Sequence, residues 1–146
     1  MEMDGLTFVQ KIRDERENYP PIGAFVDFEI EKISRGHLTG TGVPNEKHYN
    51  PLGVVHGGFA STLLDLALGH VSITILDDMS NAVTTTDLSV KYVRSISSKT
   101  GKLRWEANVL HSGKTVVIAE ADLADESGKL YATAQSTCLI VRRRFS

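Results

Sequence analysis

Residues 50–65, NPLGVVHGGFASTLLD, join a glycine-rich loop to the start of an apolar helix. The prolines and glycine of this region are typical of a loop, predicted from Pro44 to Val55. Free N–H groups at a helix start bind negative charge, and Gly57 and Gly58 let another group approach that backbone closely. An oxyanion site, for example one for a thioester carbonyl, needs these features. The alternative is that the two glycines only allow tight packing of the helix against a strand.

The helix after this loop is predicted to run from Gly57 to Thr74 and to be enclosed on most sides. Its apolar residues lie almost all the way round, which is typical of a buried helix. A membrane span from Gly57 to Leu76 is the alternative. Asp65 and His70 oppose it, because a charge at a bilayer centre costs roughly 2.5–3.5 kcal/mol. The apolar residues are Phe59, Leu63, Leu64, Leu66, Ala67, Leu68 and Val71.

Before this helix the sequence predicts a short helix and two strands. Thr7 to Asn18 favours an amphipathic helix, and Thr7 and Gln10 have the spacing of a capping box. Ala24 to Ile33 alternates apolar and acidic residues, as a half-buried strand does. After a glycine turn, a second strand is expected from about Leu38 to Val43.

After the long helix, the sequence predicts four strands joined mostly by tight turns. Consecutive short turns favour an antiparallel meander, and the simplest way to bury the helix is to curl the sheet around it. We therefore expect an α+β fold, with residues 1–146 forming one domain with a short N-terminal helix. The four strands are predicted at Asn81 to Val93, Leu103 to Val109, Thr115 to Leu123 and Leu130 to Val141.

The amino-acid composition argues against several classes of protein. The 146 residues carry 16 basic and 18 acidic side chains, a formal charge of −2, so the basic surface typical of nucleic-acid binding is not expected. A single cysteine, Cys138, excludes an intrachain disulfide framework and Cys-based zinc clusters, and it fits a reducing compartment. No secretory leader is evident, and we expect a cytoplasmic protein without membrane attachment. Arg142 to Arg144 are interpreted as a solvated end, and a phosphate contact is the alternative.

Asp65 is the strongest chemical signal from single residues. It is the one acidic residue between Glu46 and Asp77, and aspartate is unfavourable in a helix interior and costly to bury unpaired. Burial is expected to raise its pKa toward the range of a general base. The alternative is a carboxylate that accepts hydrogen bonds from a neighbouring segment or subunit, or that faces solvent at a gap in the sheet.

The histidines and the cysteine give weaker signals. His56 is a candidate acid or base, although a histidine just before a helix more often caps it. His70 is interpreted as a core or interface residue, and Cys138 as a small core residue. The two histidines are too far apart along the helix to share a metal, and the chain has no HExxH spacing, GxSxG elbow or phosphate-binding glycine loop.

Together these residues resemble the hotdog-fold acyl-CoA thioesterases, and within them the PaaI-like branch. The motif consists of Asn50, Gly53, the His56-Gly57-Gly58 triplet and Asp65, followed by the strand TTTDLSVKY at residues 84–92. The resemblance covers roughly Ile22 to Val141. His-Gly-Gly alone is a weak signal, whereas its spacing from the asparagine and the aspartate is fairly specific within hotdog proteins.

The resemblance implies a homodimer with two sheets side by side, often paired into a homotetramer, with active sites at the subunit interface. It also implies hydrolysis of an acyl-CoA, with coenzyme A as part of the substrate and neither a metal nor a separate cofactor. Asp65 would activate or orient the water, or act as a nucleophile, and the Gly57 N–H would polarise the carbonyl. Other implied site residues are Asn50, His56 and Thr85 in catalysis, and Gly58, Arg94 and Lys114 in substrate binding.

Two rival functions remain open on the same fold. One is a hotdog enoyl-thioester hydratase or dehydratase, whose His-containing motifs are not found in this sequence. The other is a noncatalytic acyl-CoA-binding protein, which would normally carry an output module. The acyl group also stays open: apolar strand residues and Phe59 indicate an apolar pocket, which suits aryl, medium-chain or long-chain groups.

Overall fold

The structure, a computed structural model, describes residues 2–16 and 19–144. Three helices and six strands make up its main elements, and short 3₁₀ turns lie at Glu46–His48 and Ser98–Thr100. In chain order they are α1 (Gly5–Asp14), α2 (Pro21–Phe25), β1 (Glu29–Ser34), β2 (His37–Gly42), α3 (Gly57–Ile73), β3 (Asn81–Tyr92), β4 (Leu103–Ser112), β5 (Val116–Asp125) and β6 (Leu130–Arg142).

The strands form one antiparallel sheet in the order β1-β2-β4-β5-β6-β3. The predicted α+β architecture, with a sheet around a long helix, is confirmed. The meander prediction holds for β4, β5 and β6, which tight turns connect. It is wrong for β3, which pairs with β6 at the sheet edge, because the connection at residues 93–102 carries the chain across to the far side of β5 and β6.

Helix α3 packs against five of the six strands on one face of the sheet. Its side chains Leu63, Leu64, Ala67 and Leu68 are fully buried. Enclosure is incomplete along one stripe, where Ser61, Thr62, Asp65, Leu66, Gly69 and Ile73 remain half-exposed. We call this stripe the open face of α3. It adjoins β3, whose residues 84–87 are exposed.

The N-terminal region differs from the sequence prediction. Helix α1 begins two residues before Thr7, because the Asp4 carboxylate caps it by accepting from the Thr7 N–H at 2.8 Å. The helix ends at Asp14, and the predicted end at Asn18 lies outside the described residues. The strand predicted from Ala24 begins later, at Glu29, since proline at the first helical position initiates the short helix α2.

A turn with positive φ at Asp27 separates α2 from β1. Val26 and Phe28 on either side of it are buried, so their alternation with polar neighbours came from a turn and not from a strand. Phe28 stacks on Trp105 with ring centroids 5.0 Å apart. This packing requires Gly40, because a Cβ there would lie 2.2 Å from the Trp105 ring.

Within the described residues, no helix is both long and apolar enough to cross a bilayer.

Candidate active site

The start of α3 leaves the Gly57 backbone donor free. His56 is the N-cap residue, and its Nδ1 accepts from the Gly58 N–H at 2.9 Å. Phe59 N–H donates to the His56 carbonyl at 2.9 Å. Among the described residues, the Gly57 N–H has no acceptor. The Gly57 N–H is therefore available to a ligand, whereas the Gly58 N–H is already used.

The cap also defines the protonation of His56. Because Nδ1 accepts a hydrogen bond, the neutral ring carries its proton on Nε2, which remains a donor. His56 thus caps the helix, which was the alternative to a role as acid or base. Taking a proton on Nδ1 would break the cap, so the ring is placed to donate and not to act as a base at that atom.

A cavity of about 330 Å³ lies beside Gly57. Asn50 lines it, and the Asn50 Oδ1 accepts from the backbone N–H groups of Leu52 at 2.9 Å and Val54 at 3.3 Å. These bonds fix the loop that precedes α3. They leave the Asn50 side-chain NH₂ without an acceptor among the described residues, so it can donate to a ligand oxygen. Also lining the cavity are Val54, Val55, His56, Ala60, Tyr92, Val93, Arg94, Ser95, Ile96 and Tyr131.

Asp65 lies on the open face of α3, two turns beyond Gly57. Thr85 on β3 donates to Asp65 Oδ1 at 2.9 Å. The carboxylate is half-buried, so the burial expected for it is not present in the single chain. A carboxylate that already accepts one hydroxyl retains lone pairs for a water. The structure therefore places the Thr85 hydroxyl against the Asp65 carboxylate, at an open surface.

A β-bulge in β3 positions the side chains that face α3. The pairing with β6 shifts between Thr85, opposite Cys138, and Asp87, opposite Thr137, so Thr86 is the additional residue. Thr85 faces the helix before the bulge, and Leu88, Val90 and Tyr92 face it afterwards. Without the bulge, strand alternation would turn either Thr85 or Tyr92 away from α3.

Gly57 and Asp65 of one chain are separated. Eight helical residues place them about 12 Å apart along the axis. Ser61 lies midway on the same face, and its hydroxyl contacts the Tyr92 hydroxyl at 2.5 Å. Asp65 does not line the cavity at Gly57. A carbonyl bonded to Gly57 and a water bonded to Asp65 are thus held apart within one chain.

The two cations proposed for coenzyme A lie at opposite ends of the sheet. Arg94 lines the cavity, and its guanidinium donates to the Leu130 carbonyl at 2.6 Å. Lys114 is in the β4–β5 turn, next to Thr115, whose carbonyl accepts from the Ile140 N–H. Leu130 and Ile140 are roughly 33 Å apart along β6. Within one chain these two side chains therefore do not meet at one ligand, and their joint role in binding coenzyme A stays a prediction for an assembly of two copies.

A second cavity, of about 340 Å³, lies on the other side of His56. Phe59 lines it, as do Phe25 and Ile22 from α2. His48 closes one wall: its Nε2 contacts the Phe25 carbonyl at 2.6 Å, and its Nδ1 accepts from the Asn45 N–H. The N-terminal segment that carries α2 is thereby fastened beside the start of α3.

The remaining candidates are structural. His70 is buried, and its Nδ1 lies 2.6 Å from the Leu66 carbonyl, to which it donates. Burial lowers the pKa of His70. Cys138 is fully buried, as the core interpretation requires. Across residues 2–16 and 19–144, no three His, Cys, Asp or Glu side chains lie close enough together to bind a metal.

Sequence reasoning missed Ser61 and Tyr92. The signal for Ser61 was available, because it lies four residues from both Gly57 and Asp65 and so shares their helix face. Tyr92 was hidden, because its orientation depends on the bulge at Thr86. The structure brings Asn50, His56, Gly57, Tyr92 and Arg94 around the first cavity, and Ser61 contacts Tyr92 beside it.

The sequence matches one known protein family over the segment that carries these candidate residues. The family model of the thioesterase superfamily matches residues 52–132, which include the start of α3, Asp65 and Thr85. The chain belongs to the thioesterase superfamily. The predicted hotdog fold is confirmed with it.

Three known proteins illustrate the relationship. The 1,4-dihydroxy-2-naphthoyl-CoA hydrolase of Escherichia coli K12 is 26% identical over 117 residues, 80% of this chain and 84% of that protein. The PaaI protein of the E. coli phenylacetic acid degradation operon is 15% identical with a TM-score of 0.82, covering 97% and 99% of the two chains, a likeness of fold alone. The structure of a hypothetical thioesterase protein with coenzyme A from Streptococcus pneumoniae TIGR4 is 25% identical, with a TM-score of 0.71 and coverage of 81% and 91%.

Proposed function

We propose that this member of the superfamily hydrolyses acyl-CoA thioesters to a free acid and coenzyme A. The observation that carries the proposal is the free Gly57 N–H at a helix start, beside a cavity lined by Asn50 and Arg94. A helix start favours the negative charge that develops on the carbonyl oxygen. The E. coli hydrolase acts on a CoA thioester, and the S. pneumoniae structure contains coenzyme A, so CoA chemistry occurs among the relatives.

Each group then has a defined part in the reaction. The Gly57 N–H binds the thioester oxygen, and the Asn50 NH₂ binds the carbonyl or the water. Asp65, with Thr85 bonded to it, takes a proton from the water as the water oxygen bonds to the carbonyl carbon. The C–S bond then breaks and coenzyme A leaves as a thiolate, which takes up a proton. Arg94 is a phosphate contact at the cavity rim.

The site is completed by a second copy of the chain. Gly57 and Asp65 are too far apart in one chain, and the open face of α3 next to the unpaired edge of β3 provides a surface for a partner. Exposed long edge strands are normally paired or protected. A homodimer, or a homotetramer of two such dimers, would place Asp65 of one copy opposite Gly57 of the other. It would also bring Lys114 toward the neighbouring copy's cavity, since antiparallel β3 strands would place the start of one beside the end of the other.

The experiment is a panel of aryl, medium-chain and long-chain acyl-CoAs with detection of free thiol, run with sedimentation at the assay concentration. Thiol release together with a dimer or larger species is expected. Loss of an enoyl double bond without thiol would indicate a hydratase instead, and saturable binding without turnover would indicate an acyl-CoA-binding protein. An active monomer would contradict the two-copy site.

A further inference from the structure

A pair of hydroxyl groups lies next to the free Gly57 N–H. Tyr92 at the end of β3 and Ser61 on α3 contact each other at 2.5 Å between Oη and Oγ. Tyr92 lines the cavity that Gly57 and Asn50 also line, and 57% of it is exposed. It is therefore accessible to a ligand in that cavity.

The Tyr92 ring lies directly against the Gly57 backbone. A Cβ built on Gly57 would be 3.1 Å from the Tyr92 Cζ and 3.3 Å from its Oη. These distances place the phenol hydroxyl beside the first residue of the helix. A side chain at position 57 would therefore crowd the ring unless the ring shifted by a few tenths of an ångström.

The protons of the pair can be counted. Two hydroxyls carry two protons, and one of them lies in the bond between the oxygens. Neither the Ser61 hydroxyl nor the Tyr92 hydroxyl has another hydrogen-bond partner among the described residues. The second proton is therefore free to donate, next to a backbone N–H that also lacks an acceptor.

We propose that the Tyr92 hydroxyl is a second donor to the thioester carbonyl, so that it and the Gly57 N–H bind the same oxygen. This inference rests on the proposed function. As water attacks the carbonyl carbon, the π electrons move to that oxygen, and both donors stabilise the charge. When the C–S bond breaks, the electrons return to the carbonyl, and the phenol keeps its proton throughout. Ser61 is a positioning residue, which holds the phenol by donating to Oη.

The test compares Tyr92→Phe, Ser61→Ala and Ser89→Ala. Tyr92→Phe keeps the ring against Gly57 and removes only the hydroxyl, so we expect kcat to fall on the order of 100-fold. KM and the affinity for a nonhydrolysable acyl-CoA analogue should change little, because the donor acts mainly on the transition state. Ser61→Ala should cost less than Tyr92→Phe. Ser89→Ala removes a hydroxyl from the outer face of the same strand and serves as the control, and melting curves accompany all three.

The outcomes separate this inference from the proposed function. Failure of the wild-type protein to release thiol from any acyl-CoA would contradict the proposed function itself. Active wild type with an equally active Tyr92→Phe variant would overturn the phenol as donor and leave Tyr92 a packing residue. A larger kcat loss in Ser61→Ala than in Tyr92→Phe would overturn the assignment to Tyr92 and place the donated proton on Ser61. A selective kcat loss in Tyr92→Phe supports the inference.

Discussion

The two faces of α3 each hold one titratable side chain, and their environments differ. His70 on the buried face donates to the Leu66 carbonyl of its own helix and packs against the Phe28 ring, with centroids 5.3 Å apart. Asp65 on the open face accepts from Thr85, which belongs to another element, and remains half-buried. The helix satisfies one polar group internally and presents the other toward the sheet edge.

This difference helps to separate structural from functional polar residues in an apolar helix. Both residues are unfavourable in such a helix, and their residue types alone do not say which is structural. Buried polar groups are normally hydrogen-bonded within the protein, as His70 is. A carboxylate that keeps free lone pairs at an open face is the better candidate for chemistry.

Of the substitutions on the two faces of α3, replacing Asp65 should lower kcat the most. We expect Asp65→Asn to lower kcat about 100- to 10,000-fold, the usual cost of losing a general base. The melting temperature should change little, since the amide oxygen can still accept from Thr85.

The matched control is Asp122→Asn, because Asp122 also accepts from a threonine, Thr133, at 2.6 Å, but on a pair of strands away from the cavity. A folded Asp65→Asn variant with wild-type kcat would remove Asp65 from the mechanism. Product oxygen labelling in H₂¹⁸O under single turnover distinguishes base from nucleophile, because a nucleophilic carboxylate delivers its own oxygen first.

Gly57→Val is expected to have the next largest effect. A side chain there meets the Tyr92 ring and blocks the approach of the carbonyl to the N–H. Loss of one oxyanion donor costs roughly 2.7–4 kcal/mol in transition-state stabilisation, so kcat should fall more than binding of a nonhydrolysable analogue does.

Circular dichroism and a melting curve must accompany these kinetics, and Gly57→Ala provides a milder change if the valine variant does not fold. Normal turnover in a folded variant would place the oxyanion donor elsewhere. Failure of both variants to fold would favour the packing explanation of the glycine.

His70 should affect stability and not chemistry. Because burial lowers its pKa in the folded state, the unfolded chain binds a proton at a higher pH than the folded one. Stability is then full above the unfolded pKa of about 6.5 and is lost as pH falls toward the folded pKa, by up to about 1.4 kcal/mol per pH unit.

The measurement is the melting temperature between pH 7.5 and 5.5 for wild type and His70→Gln. The variant should show the shallower decline and retain kcat at pH 7.5. Equal slopes would show that His70 does not supply this pH dependence.

Much of the fold followed from patterns that local physics controls. The all-round apolar run after Gly57 predicted α3 to within one residue of its end, and the alternation after Leu103 predicted β4 to β6. The edge position of β3 did not follow, because strand order depends on a long connection and not on local pattern. Helix α2 was missed because Val26, Phe28 and Ile30 alternate although the first two flank a turn.

The candidate site residues could be selected from the sequence, but their arrangement could not. Motif spacing selected Asn50, Gly57, Asp65 and Thr85. It did not reveal that the His56 ring accepts a hydrogen bond from the Gly58 N–H, since a cap depends on side-chain geometry. Nor did it show that the Ser61–Tyr92 pair stands between Gly57 and Asp65, because a one-residue bulge sets the orientation of Tyr92.

The central claim, that a site needs Gly57 of one copy and Asp65 of another, is tested most directly by mixing two inactive variants. Asp65→Asn and Gly57→Val chains are unfolded together, refolded as a mixture, and assayed for thiol release beside each variant treated alone. In a mixed dimer one site regains both intact groups, while the other carries both lesions. Random assembly then predicts about one quarter of wild-type activity. A mixture no more active than the separate variants, with mixed dimers present, would contradict the account.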